Sequence, residues 1–256
     1  MKETIFDVHA HYDDPKFDED REEVLLSLKE KGVGYIINAG TDISTSQTTI
    51  EYCDRYDFMY GAVGIHPENA DNLPNEYLSV IEEMTKHKKI VAIGEIGLDY
   101  YWDSVPRDVQ KKVFQEQLIL AEKLQMPVVI HDRDAHGDTM EILRQYRPKG
   151  IMHCFSGSVE LCKEIVKLGM SISLGGVVTF KNARHSVEVA KYIPLDRLML
   201  ETDAPYLSPV PFRGKRCDSS LIRFTAEKIA EIKAVSLDDL LKITRENAFK
   251  MFGITP

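Results

Sequence analysis

The stretch Ile5-Phe6-Asp7-Val8-His9-Ala10-His11 decides the fold. It alternates like a strand and ends in two imidazoles rather than in glycines. An open doubly wound sheet places a Gly-rich phosphate turn after an early strand, and no GxGxxG or Walker-type motif follows here. Working outward, seven more short apolar runs recur at Tyr35–Ala39, Met59–Ile65, Ile90–Ile96, Pro127–Ile130, Gly150–Met152, Met170–Leu174 and Arg197–Leu200. Their length, bounding Gly and Pro, and Val/Ile content favour buried parallel strands. Between them, segments such as Arg21–Lys31, Val113–Leu124 and Glu160–Leu168 repeat apolar residues at i, i+3 and i+4, the stripe of helices packed on a sheet. Alternating strands and helices leave a choice between a closed barrel and an open sheet. The histidine-ended first strand selects the closed one, a (β/α)8 TIM barrel.

The chain has 256 residues, and one such barrel takes about 250. No low-complexity or Pro/Ser-rich linker and no internal repeat divides it, so residues 1–256 are expected to form a single domain. The final stretch, Ser219–Gly253, reads as two terminal helices, with Ser236 and Asp239 spaced as a capping box for the second.

Histidines and carboxylates sit at the C-terminal ends of five predicted strands. In a barrel those ends open onto one face, where such enzymes keep their active sites. Alternation along the first strand points His9 and His11 the same way, with Asp7 expected on that face to orient a ligand. Glu95 follows Ile90-Val91-Ala92-Ile93, and a carboxylate there is costly unless something cationic pairs with it. His131 follows Val128-Val129-Ile130, His153 follows Ile151-Met152, and Asp203 ends the eighth strand. A lone His in such a place is more often a core residue; two in successive strands, after HxH and Glu, reverse that reading. Glu201 alternates to the same face or is turned outward by a kink, and Cys154 is expected in the core. His66, after the third strand, is assigned to the substrate pocket, while His87, His136 and His185 read as surface, loop or helix residues.

Imidazoles and carboxylates together make a mixed N/O ligand set suited to Zn, Mn, Fe, Co or Ni, with Mg at its oxygen-rich part. A carboxylate shared by two cations would hold them about 3.5–4 Å apart, as in two-metal hydrolases. Two divalent ions per chain are therefore expected. At net charge −9 the chain repels a polyanion at long range, which argues against a broad footprint on duplex DNA but not against a phosphate ester held locally by cations. The four cysteines form neither CxxC pairs nor a disulfide framework, and no signal-peptide h-region or bilayer-length apolar run is present. The expectation is a cytoplasmic protein with no membrane association and no obligatory protein partner.

DVHAHYD (7–13), GIHP (64–67), GEIGLDYY (94–101), VIHDRDA (129–135), HCFSGS (153–158), ETDAPYL (201–207) and PVPFRGKR (209–216) follow in a specific order. In these segments the chain resembles the TatD family of metal-dependent deoxyribonucleases, among the amidohydrolase-like barrels, over essentially its whole length. The resemblance implies that His9, His11, Glu95 and Asp203 bind one cation, and Glu95, His131 and His153 the other. It implies DNA phosphodiester hydrolysis, often as a 3′–5′ exonuclease on single strands or damaged 3′ ends. The family usually carries His in its PVPHRGKR stretch, where this chain has Phe212; its usual Asn-Glu-Pro reads Cys217-Asp218-Ser219 here. Both departures lie in the loop after the eighth strand and bear on substrate choice, not on the metal ligands.

For a phosphodiester, Asp203 is the candidate to accept a proton from water and Glu95 the carboxylate serving both ions. Arg133, Arg213 and Lys215 are candidates to hold neighbouring phosphates, and Phe212 either stacks on a base or packs under its loop. Two alternatives stand beside this one. The same metals hydrolyse C–N or carboxyl-ester bonds in amidohydrolase relatives, aminoacyl-RNA being one such substrate. A non-catalytic metal-binding protein is the other, although it would need no open coordination position.

Overall fold

The computed structural model describes residues 4–102 and 104–255. Eight parallel strands follow one another in chain order around one sheet: β1 (Ile5–Ala10), β2 (Val33–Ala39), β3 (Met59–Val63), β4 (Ile90–Asp99), β5 (Val128–Arg133), β6 (Gly150–Met152), β7 (Ser171–Leu174) and β8 (Leu198–Leu200). Just past the strands the sheet closes on itself. His11 N donates to Ala204 O at 2.7 Å and Asp203 N to His9 O at 3.0 Å. This is the TIM barrel expected from the alternation of runs, with shifted edges. β3 stops short of Ile65, whereas β4 and β5 run on to Asp99 and Arg133.

The helices α1 (Arg21–Leu28), α2 (Ile43–Arg55), α3 (Tyr77–Met84), α4 (Arg107–Leu124), α5 (His136–Tyr146), α6 (Val159–Lys167), α7 (Arg184–Tyr192), α8 (Ile222–Lys233) and α9 (Leu237–Phe252) alternate with the strands and end the chain. None of the described helices is long and apolar enough to cross a membrane. α9 starts where its cap residue says it should. Ser236 Oγ accepts from Asp239 N at 3.1 Å and donates to Asp239 Oδ2 at 2.6 Å, so the carboxylate takes the cap hydroxyl rather than the cap backbone.

Two apolar layers hold the barrel. Helices pack outside the strands, while Phe6, Val8, Ile37, Ala62, Val91, Val129, Ile151 and Met199 fill the inside together with Met251, Phe252 and Ile254 from the chain's end. Phe249 of α9 meets Phe6 and Tyr35 edge-on at 5.6 and 4.9 Å. Both of these partners lie in the first half of their strands, so α9 plugs the N-terminal mouth and the opposite mouth is left for chemistry.

Strict alternation fails in β1, with consequences for the site. Ile5 joins the outer layer while Phe6 and Val8 face inward, and the pairing with β2 then shifts between Asp7 and Ala10. Such an irregularity turns following side chains to the other face. His9 and His11 enter the barrel mouth, and Asp7 stays outside it. The Asp7 carboxylate accepts from Thr202 Oγ1 at 2.5 Å, Ser219 Oγ at 2.7 Å and the backbone N–H of Thr202 at 3.0 Å. It therefore ties β1 to the residues after β8 and to the entry of α8, and orients no imidazole. Burial pushes its pKa up to about 7 against those hydrogen bonds.

Candidate metal centre

Nε2 of His9 and Nε2 of His11 lie 3.0 Å apart at the end of β1. The other nitrogen of His11 is 2.9 Å from the Ala39 carbonyl, which can only accept. The Nδ1–H is thereby committed outward, and Nε2 faces the centre. Asp203, from the segment after β8, brings Oδ1 to 3.7 Å from His9 Nε2 and 3.5 Å from His11 Nε2.

Glu95, in the middle of β4, divides its two oxygens. Oε2 lies 3.4 Å from Nε2 of both His9 and His11. Oε1 lies 2.6 Å from His131 Nδ1 and 2.6 Å from His153 Nε2, with His66 Nε2 farther out at 3.7 Å. These atoms fall into overlapping triplets that could each hold an ion: His9 with His11 and Asp203, His9 with Glu95 and His153, and His66 with Glu95 and His131. His66 thus adjoins the ligand cluster itself, closer in than a residue lining only the outer pocket. Its Nδ1 accepts from Glu68 N at 3.2 Å, so in the neutral ring Nε2 carries the proton. Burial first, and then the neighbouring His131, bring its pKa down to about 3.

Electrostatics and spacing fit divalent cations. Glu95 is 3% exposed, and burial alone would favour its protonated form. The surrounding His153, His9, His66 and His131 instead hold its pKa well below the usual carboxylate range. Reciprocally, burial would neutralise His131, yet Glu95 and Asp99 hold its pKa up at about 9. The carboxylates demand positive charge here, and a metal would supply it by displacing those protons. With bonds of about 2.0–2.1 Å, two nitrogens on one tetrahedral ion stand about 3.3 Å apart, within the spread of 2.6–3.7 Å found among these atoms. Among the described residues, the buried side-chain atoms without a hydrogen-bond partner are His9 Nδ1, His153 Nδ1 and Glu201 Oε1, all in or beside this cluster.

The candidate ligands are braced from behind, partly by residues that the strand-end reading passed over. His131 Nε2 is 2.9 Å from Asp99 Oδ2. Asp99 shares the parity of Glu95 and Gly97 along β4, and this alternation would have revealed it. Glu201 faces inward toward His153, its Oε2 3.7 Å from Nδ1, and it accepts from Ser173 Oγ of β7 at 2.5 Å. Backbone strain also gathers here. Cys154 and Asp203 take left-handed φ values of 43° and 62°, a conformation that costs a non-glycine residue of order 1–3 kcal/mol. Gly97, at φ 152°, lies so close to β5 that a Cβ would overlap the His131 carbonyl oxygen.

The proposed phosphate holders are dispersed around the mouth. Arg133 is exposed at the end of β5, its guanidinium 3.8 Å from the Tyr101 ring centroid. Arg213 and Lys215 line a cavity of about 750 Å³ with Lys16, Phe180, Pro205 and Tyr206, beginning two residues past Asp203. Arg216, beside them in sequence, is held by both oxygens of Asp20 at 2.7 and 2.6 Å. Phe212 packs edge-on against Phe224 at 5.1 Å and is half-buried. Of the remaining histidines, His136 Nδ1 lies 2.6 Å from Asp132 and His87 Nε2 3.1 Å from Asp54, both outside the cluster.

Residues 6–253 match the family model described as TatD related DNase. The uncharacterized metal-dependent hydrolase YabD of Bacillus subtilis is 46% identical over 253 residues, covering 98% of this chain and 99% of its own. The uncharacterized metal-dependent hydrolase YcfH of Escherichia coli is 33% identical, covering 98% of this chain and 96% of its own. Among solved structures, the TatD homologue YjjV of Escherichia coli superimposes with a TM-score of 0.92 at 29% identity, over 98% of both chains. On the family match and on relatives of this identity and coverage, the chain belongs to the TatD family.

Proposed function

We propose that this chain is a metal-dependent deoxyribonuclease that hydrolyses DNA phosphodiester bonds, acting 3′–5′ on single-stranded or damaged 3′ ends. The observation that carries this reading is the division of Glu95. One oxygen serves His9 and His11, the other His131 and His153. In our reading His9, His11, Glu95 and Asp203 hold one divalent cation, and Glu95, His131 and His153 a second. Zn, Mn, Mg, Ni, Co and Fe all suit this donor set. When bound, such a pair polarises a phosphoryl oxygen and lowers the pKa of a water from 15.7 toward 7.

The chain's own side chains supply the remainder. Asp203 is 18% exposed where Glu95 is 3%, so Asp203 is the carboxylate a water can reach. We assign it the proton that the attacking water loses. His66 offers a neutral Nε2–H beside Glu95, placed to donate to a phosphoryl oxygen. Arg133, Arg213 and Lys215 take the flanking phosphates; none of the three has a carboxylate partner among the described residues. The four free cysteines, three of them buried, suit a reducing compartment, which we read as the cytoplasm.

Metal analysis of the purified protein, with assays on 3′-labelled single-stranded DNA and on a generic phosphodiester, tests the reading. Two metals per chain and shortening from the 3′ end are expected, and Glu95→Ala should lose both metals and activity while remaining folded. A Glu95→Ala protein that keeps two metals and near-normal turnover would sink the assignment.

A further inference from the structure

Beyond the ligands, β4 ends in an exposed aromatic pair. Tyr101 and Trp102 are 54% and 59% exposed, with ring centroids 5.0 Å apart and nearly perpendicular planes. Rings of this size are normally kept from water, and among the described residues these two stay more than half exposed. They are nonetheless held in place. Asp99 Oδ1 accepts the backbone N–H of Tyr101 at 2.9 Å and of Trp102 at 3.1 Å. The other oxygen of that carboxylate is the one that holds His131. One buried side chain therefore fixes both a metal-centre imidazole and the aromatic pair.

The strand pairing adds a cation. β4 and β5 are in register at Asp99 and Arg133, which sets the Arg133 guanidinium 3.8 Å from the Tyr101 centroid and 5.5 Å from that of Trp102. The chain carries 41 acidic residues against 32 basic ones, and the rim cation Arg216 is paired with Asp20. Arg133 is exposed and rests on rings instead, which leaves its charge available to an anion. An unneutralised guanidinium resting on one face of Tyr101, beside the exposed Trp102 ring, matches a nucleotide, whose base stacks on the aromatic surface left open while its phosphate takes the cation. An apolar protein segment would bury the rings and strand the charge.

We propose that Tyr101, Trp102 and Arg133 form a stacking site for one unpaired base of single-stranded DNA, next to the metal centre. This rests on the phosphodiesterase reading above and adds to it a requirement that the base be unstacked from its neighbours. A base in a continuous duplex presents no free face, so the site selects single strands and frayed ends.

The test uses the intact, metal-loaded protein and two labelled probes of equal length. One is a phosphorothioate oligothymidylate, which resists cleavage; the other has the same backbone with abasic residues. Trp102 is the only tryptophan in the chain, so its emission reports this site directly. The expected result is a saturable change of emission with the base-bearing probe alone, which also binds about ten- to a hundredfold more tightly than the abasic one. Trp102→Ala and Tyr101→Ala should each bring that ratio down toward one. Because the ratio compares two ligands on one preparation, partial unfolding of a variant does not mimic the effect. Unchanged Trp102 emission, equal binding of both probes, or a ratio preserved in both variants would overturn the stacking site. Wild-type protein that binds with the expected preference yet cleaves no phosphodiester would overturn the proposed reaction and leave the stacking site standing.

Discussion

Nε2 of His131 lies 2.9 Å from Oδ2 of Asp99, and this contact decides which nitrogen His131 turns toward Glu95. Asp99→Asn tests what the contact is worth. The Asp99 oxygen that accepts two backbone N–H groups would keep that duty as the amide oxygen. The amide nitrogen would then face His131 and donate, forcing the proton onto Nδ1, the atom needed by an ion. Outer partners of this kind typically contribute 10–100-fold in metal affinity, and a loss in that range is expected on titrating metal into the stripped variant. Wild-type affinity would show that Asp99 has no part in setting the ring.

For Asp203→Asn, shape is kept while charge and basicity go. The expected outcome is a fall in kcat of at least about 10², the low end for general acid–base groups. Asp203 also stands 3.5 Å from His11 Nε2, so metal content must be measured on the same sample. Full metal occupancy with unchanged kcat would remove Asp203 from the chemistry.

Gly97→Ala probes packing rather than chemistry. A Cβ there meets the backbone of His131, and φ 152° is strained for any L side chain. Overpacking of this kind costs about 1–3 kcal/mol. In a chain of this size each kcal/mol moves Tm by about 2–4 °C, so thermal unfolding should shift down by at least about 2 °C. Because β4 and β5 carry Glu95 and His131, metal affinity should fall with it. A variant as stable and as metal-avid as wild type would mean the two strands separate freely at this point.

What the sequence made readable, and what it hid, divides along a physical line. His9, His11, Glu95, His131, His153 and Asp203 were legible because each is a polar group set directly after an apolar run, and parallel β-strands in a barrel end on one face. The bracing groups were not, because each depends on a particular register or on distant chain. Asp7 follows the alternation rule on paper, yet the shift in β1 leaves it outside the mouth, bonded to Thr202 and Ser219 some 195 and 212 residues away. Asp99 lay two steps of the same alternation beyond Glu95, but past Ile96, the expected end of its strand. Arg216 reads like its neighbours Arg213 and Lys215 until the fold places Asp20 against it.

That last pairing sharpens how an acidic protein can hold DNA. At net charge −9 the chain has no long basic track, and Arg216 is already spent on Asp20. Arg133, Arg213 and Lys215 remain for phosphates, on different sides of the mouth. Each phosphate neutralised on a single strand contributes about −0.7 to the slope of log K against log[salt], so three such contacts give about −2. The measurement is binding of a single-stranded oligonucleotide to the Asp203→Asn protein between low and physiological salt. Removing Arg213 should make the slope shallower by about 0.7, whereas Arg216→Ala should leave it nearly unchanged, since that guanidinium is committed within the protein. Phe212→Ala should leave it unchanged as well, because the ring packs on Phe224 and carries no charge. A slope steeper than about −5 would require more phosphate contacts than these cations can make, and the strand would then have to run over a surface other than this mouth.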